Sequence, residues 1–113
     1  MTPDIWLPLL GSAEGRDCWA LHAEVYRRRG ITLVGINPIA ADDWRLVESP
    51  EAGDSILTVA DGRPHVGVCV SPTEFVHADR ANRVRKARIA SLVRAGSPVK
   101  FYRHNGALAV TVP

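Results

Sequence analysis

Residues 55 to 78 constrain the fold more tightly than any other stretch. Apolar and polar side chains alternate there, and turn residues interrupt them at short intervals. Ser55 to Ala60 reads as a strand, Asp61-Gly62 as a two-residue turn, and His65 to Val70 as a second strand in near-strict alternation. Ser71-Pro72-Thr73 turns the chain again, and Glu74 to Ala78 makes a third short strand. The tail adds one or two more: Val99 to Arg103, then Leu108 to Val112 across an Asn105-Gly106 turn.

Upstream the pattern is helical. Cys18 to Arg29 carries Asp17 as N-cap, Leu21 and Val25 four apart, and Gly30 as the C-terminal stop. Arg27, Arg28 and Arg29 fill its last turn, where cations complement the helix dipole. Residues 2 to 16, rich in Pro, Gly and small side chains, read as an irregular arm. Residues 31 to 50 read as a loop region punctuated by Pro38 and Pro50, with a short helix around Ala40 to Leu46. One early helix followed by hairpin-linked strands implies an α+β domain with an antiparallel sheet. A chain of 113 residues suits a single domain over 1–113.

Charge is divided unevenly. Through Asp79 there are six basic residues against twelve acidic ones; after it come Arg80, Arg83, Arg85, Lys86, Arg88, Arg94, Lys100 and Arg103 with no acid. That block suits an acidic partner, or forms a solvated face near the C-terminus. Only Phe101 and Tyr102 supply aromatic rings there, so base stacking has little support and nucleic acid is not the expected partner. No apolar run approaches the roughly 20 residues of a membrane helix. Met1 to Leu10 has Asp4, Pro3 and Pro8 where a signal peptide needs an apolar run, so delivery outside the cytoplasm is expected to depend on another component. Two cysteines do not make a disulfide scaffold.

Those cysteines sit in different settings. Cys18 stands in the first turn of the capped helix, where free amides and the positive dipole end favour a thiolate. Asp17 opposes this unless its carboxylate is turned away as the cap. Alternation places His65, Gly67 and Cys69 on one strand face and Val66, Val68 and Val70 on the other. Gly67 leaves room for close approach, and a helix packed on that face would bring Cys18 beside His65 as nucleophile and base. His77, in the next strand, could hold the second ring nitrogen of His65 and fix its tautomer. The plainer readings are a cysteine that merely packs and a structural histidine. Cys69 is expected to pack, His104 to sit in an exposed turn, and Trp6, Trp19 and Trp44 to be core or interface residues. Cys18 and His22 have a spacing that a zinc site could use, with His65 or His77 completing it, but there is no recognised second pair, and no metal or cofactor is expected.

Asp17-Cys18-Trp19-Ala20-Leu21, continuing to Val25-Tyr26-Arg27 and Gly30-Ile31, resembles the nucleophile helix of the NlpC-type cell-wall cysteine peptidases. It is most similar to the phage and prophage tail branch, where a Trp follows the Cys. Gly53-Asp54-Ser55-Ile56-Leu57 resembles the Gly-Asp strand opening of that family, His65-Val66-Gly67-Val68 its His-Val-Gly-Ile motif, and Phe75-Val76-His77-Ala78 its Phe-Ile-His-Ala motif. Phe101-Tyr102-Arg103 is similar to the closing strand of the phage members. The motifs run in family order over roughly residues 17 to 103.

The resemblance implies a papain-like core, with the nucleophile helix packed on the sheet, Cys18 as nucleophile, His65 as base and acid, and His77 as the polar third residue. It implies cleavage of peptidoglycan peptide stems, often between D-glutamate and the diamino acid. It further implies a virion tail, or the bacterial cytoplasm before assembly, as location, with action in the periplasm or at the cell wall. Other tail-tip proteins become expected partners, docked through basic residues 80–103. The chain departs from the pattern at Leu9, where a Tyr commonly follows Pro, at Ala20 in place of Gly, and at His22 in place of an apolar residue. These departures point to the alternative, a structural tail-tip protein that keeps the fold with weak or no catalysis. A nucleic-acid module and an acyltransferase are further readings.

Overall fold

The computed structural model describes residues 1–12, 17–33 and 43–105. It contains helices α1 (Pro3–Trp6), α2 (Cys18–Arg28) and α3 (Ile89–Arg94). Its strands are β1 (Trp44–Val47), β2 (Ser55–Ala60), β3 (Arg63–Cys69), β4 (Glu74–Ala78), β5 (Val84–Arg88) and β6 (Lys100–His104). The strands form one antiparallel sheet in the order β1-β6-β2-β3-β4-β5. The α+β architecture expected from the sequence is therefore present.

The hairpin signals act as read. Ala60 pairs with Arg63 across Asp61 and Gly62, both at positive φ, the geometry of the type I′ turn whose twist matches its flanking strands. Helix α2 ends in a Schellman motif: the amide of Ile31 donates to the carbonyl of Tyr26 and that of Gly30 to Arg27.

Several elements differ from expectation. Trp44–Val47 is a strand, not the end of a helix, because Trp44 and Leu46 find partners in His104 and Tyr102 on β6, a pairing no local pattern announces. Ala40 to Asp42 and the second tail strand, Leu108 to Val112, lie outside the described residues. Over residues 2–12 the N-terminal arm is not irregular, and residues 13–16 lie outside the described residues: α1 and a 3-10 turn at Leu7–Leu9 carry Trp6 and Leu9 into the core. The arm then pairs with β5, Gly11 donating to Val84 and Val84 to Ser12.

The two faces of the sheet bury different clusters. Leu21, Val25 and Tyr26 of α2 pack with Trp6, Leu9, Val68, Val76, Ala78 and Val84. On the opposite face Ile56, Cys69 and Phe75 pack with Ile89 at the start of α3. The helix thus lies on the valine face, not on the face of His65, Gly67 and Cys69, which corrects the expected packing. Valines 68 and 76 face each other across the β3–β4 pairing and offer an apolar surface that Leu21 and Val25 cover.

The Gly-Asp strand opening is a structural junction. The Gly53 carbonyl accepts from the Tyr26 hydroxyl and from Arg29 Nη1, and its φ of 99° suits a residue without Cβ. A Cβ there would stand 2.8 Å from the Arg29 guanidinium. Asp54 receives Arg103 through two hydrogen bonds, 2.9 Å from Nε and 2.8 Å from Nη2, and also caps the Glu51 amide at 2.8 Å. The side chains are 4% and 16% exposed, so the pair works where water competes little. Asp54→Ala leaves the Arg103 cation half-stranded and is expected to cost about 3 kcal/mol of stability, the low end for a broken buried pair. Urea denaturation of the variant against the parent measures it.

Candidate active site

Asp17 is extended, and its Oδ1 accepts from the Ala20 amide at 2.7 Å, so its carboxylate serves as the N-cap of α2. Cys18 follows as the first helical residue, half-buried and free. The amides of Cys18 and Trp19 belong to the first turn, where helical geometry supplies no acceptor. Cys69 contrasts sharply. It is fully buried, and burial together with the negative charge of Asp54 pushes its thiol up to about 12.

His65 stands on β3 opposite Thr58 of β2. Its Nε2 lies 3.0 Å from Nδ1 of His77, and the two rings meet edge to face at 5.2 Å. One ring must donate and the other accept. If Nε2–H of His65 donates, its Nδ1 keeps a lone pair. Burial lowers the pKa of both imidazoles, and for His77 the nearby His65 adds to the effect. Both rings are therefore neutral at pH 7.

Gly67 explains how the two rings meet. A Cβ at this position would stand 2.6 Å from the Val76 carbonyl and 2.9 Å from the Phe75 ring. Only glycine lets β4 come this close to β3 beside His65. The close approach expected at Gly67 is therefore that of the neighbouring strand.

Cys18, His65 and His77 all line one open cleft of about 810 Å³, together with Thr58, Phe75 and Leu92. Because α2 covers the valine face, Cys18 reaches the cleft from the helix N-terminus and not from the helix side. The three expected site residues thus border one space. His22 does not join them. It is fully buried, its Nε2 is 2.6 Å from Ser55 Oγ, and its ring stacks on Trp44 at 5.6 Å. Ser55 Oγ also lies 3.0 Å from the Tyr26 hydroxyl. His22 is thereby committed to a core network, which corrects the zinc reading of Cys18 with His22. Reasoning from sequence missed that network; three polar residues inside amphipathic segments, His22, Tyr26 and Ser55, were its only signal.

Leu9 is 2% exposed and packs in the α2 cluster, so this position has become apolar core and brings no hydroxyl toward the cleft. The basic segment is not uniformly free either: Arg80 pairs with Asp61, Arg85 with Asp79, Lys86 with Glu74, and Arg103 with Asp54. Those contacts tie much of the tail to the acidic first part of the chain.

Residues 9–103 match the sequence profile of the NlpC/P60 family. The chain belongs to the NlpC/P60 family. None of the curated proteins matches it. The match spans α2, strands β1 to β5, β6 up to its last residue, and the cleft, and the helix-plus-sheet architecture is that of an NlpC/P60 papain-like domain. NlpC/P60 proteins generally have cysteine peptidase activity, and membership gives this chain a cell-wall peptidase-like function with peptidoglycan as the suggested substrate. No helix among the described residues is long and apolar enough to cross a membrane.

Proposed function

We propose that this NlpC/P60 domain is a peptidoglycan-degrading cysteine endopeptidase, with Cys18 as nucleophile, His65 as base and acid, and His77 as orienting residue. One observation carries the reading: a half-buried thiol at a helix N-terminus shares a cleft with a hydrogen-bonded pair of neutral imidazoles. In the first step Sγ attacks the stem-peptide carbonyl while Nδ1 of His65 takes the thiol proton. The oxyanion forms beside the Cys18 amide at the start of α2. Collapse breaks the C–N bond, and His65 returns the proton to the departing amine. Water then attacks the thioester, gives its proton to His65, and releases the carboxylate and the restored thiol.

Phage or prophage tail origin is part of the proposal, with action at the cell wall or in the periplasm. It is supported by Trp19 after the nucleophile and by the Phe101-Tyr102-Arg103 strand. A second reading is a tail-tip assembly protein with little catalysis, docked through residues 80–103. The apolar Leu9 favours it, because this buried leucine stands after Pro8 where a Tyr commonly sits ahead of the nucleophile helix.

The test is to incubate the protein with purified muropeptides and identify products by mass, before and after brief treatment with iodoacetamide. Alkylation is expected at Cys18 and not at the buried Cys69, and it should end all cleavage. Silence of the untreated protein would favour the assembly reading.

A further inference from the structure

We propose that Phe75 is a positioning residue of the cleft, whose ring sets the orientation of His77 and through it the aim of His65. The inference rests on the endopeptidase reading and adds to it a side chain that acts through His77. Phe75 and His77 stand two apart on β4, so strand alternation puts both side chains on one face. Their rings lie 5.1 Å apart, tilted by 42°. His77 thus has Phe75 against one part of its ring and His65, at 5.2 Å, against another. All three line the cleft.

The Phe75 ring is itself held. It is 2% exposed and packs with Ile56, Cys69 and Ile89. It also fills the space over Gly67, where a Cβ would stand 2.9 Å from its Cδ2. The glycine that lets β4 approach β3 therefore also seats this ring. His77 differs in being only half-buried, and the torsion that turns an imidazole about its Cβ–Cγ bond has broad, shallow wells. Its hydrogen bond with His65 requires Nδ1 to stay 3.0 Å from Nε2. A turn of the ring carries that nitrogen away. Phe75 opposes the turn, because a ring fixed on its other sides cannot yield. Aromatic pairs at this spacing are also favourable beyond the area they bury, which selects one orientation of the imidazole. With Nδ1 of His77 held as acceptor, His65 carries its proton on Nε2 and keeps the Nδ1 lone pair for the thiol.

The experiment reads the imidazole nitrogens directly, by long-range proton–nitrogen correlation spectra of isotope-labelled protein near neutral pH, beside kcat and KM on muropeptides. The parent is expected to show both His65 and His77 with the proton on Nε2. Phe75→Leu keeps an apolar side chain and removes the ring. It should bring the two His77 nitrogens toward averaged shifts and lower kcat about tenfold, with KM changed by no more than about twofold. Phe75→Tyr restores a ring and should recover the shifts of the parent and most of its kcat. Val99→Ala, a truncation against the same buried cluster, should leave the nitrogen shifts as they are. Averaged shifts already in the parent, unchanged shifts in Phe75→Leu, equal changes in Val99→Ala, or altered shifts without a fall in kcat each overturn the proposal and leave the endopeptidase reading standing. If the parent cleaves nothing, the endopeptidase reading fails, and the spectra alone decide whether Phe75 orients His77. Should Phe75→Leu not fold, Phe75→Met takes its place under the same criteria.

Discussion

Cys18→Ala is expected to lose muropeptide cleavage by at least about 10⁴-fold, with the melting temperature nearly unchanged. The half-buried position explains the second half of that expectation, since Cys18 contributes to neither buried cluster. His65→Ala should fall by a similar factor, because nucleophile and base act as one unit and their losses do not add. The double variant should therefore be no worse than either single one. His77 acts only through His65 and should behave differently. His77→Ala is expected to lose about 10²-fold, and His77→Gln, whose carbonyl can still accept from Nε2 of His65, should recover part of it. The pH profile separates positioning from packing. Burial lowers His65 below the ordinary histidine range, so the acid limb of kcat/KM should lie below about pH 6.5 in the parent. Loss of the His77 contact should move that limb, whereas a merely structural lesion would scale the whole profile without shifting it. Initial rates from pH 4 to 8 for parent, His77→Ala and His77→Gln decide the point.

Acid should unfold this protein through His22. Burial, followed by the charge of His104, brings the His22 imidazole down to about 3. The ring is enclosed by Ser55, Tyr26 and Trp44, and its Nδ1 has no hydrogen-bond partner among the described residues. The unfolded chain takes up this proton near pH 6.5, and the folded chain resists it down to about 3. Between those values the unfolded state binds more protons, so stability is intact above about 6.5 and declines as pH falls. The slope is about 1.4 kcal/mol per pH unit, on the order of 4 kcal/mol over the window. His65, His77 and His104 are also lowered and pull in the same direction. His22→Leu isolates the largest contributor. Its stability, measured by urea denaturation at pH 7, 5.5 and 4, should fall less steeply than that of the parent by nearly one proton. Parallel slopes for the two proteins would refute the assignment.

The parts of the fold that were legible share one physical property: their signals are local. A capping aspartate, a helix period and a Schellman glycine placed α2 to within a residue of its observed span. Asp61-Gly62 and strict alternation placed β2 and β4 at their observed limits and β3 within two residues. What was missed depends on partners far away in the chain. Strand β1 exists through pairing with β6, and β5 is a run of cations whose strand character comes from β4 on one side and the N-terminal arm on the other. Helix α3 is one short apolar turn over Ile56 and Phe75. At the candidate site the residues were legible and the approach was not. Alternation gave the shared face of His65 and Gly67, but α2 chose the opposite face because that is where the valines are.

The N-terminal arm has a consequence for anyone wishing to shorten this domain. The family match begins at residue 9, yet the indole of Trp6 is 8% exposed and sits inside the α2 cluster, with Lys86 Nζ 5.8 Å from its centroid. A chain trimmed to the matched region would leave an indole-sized void under β5 and uncover Val84. The homology boundary and the folding boundary of this protein are therefore different places, and it is the second that a working fragment must respect.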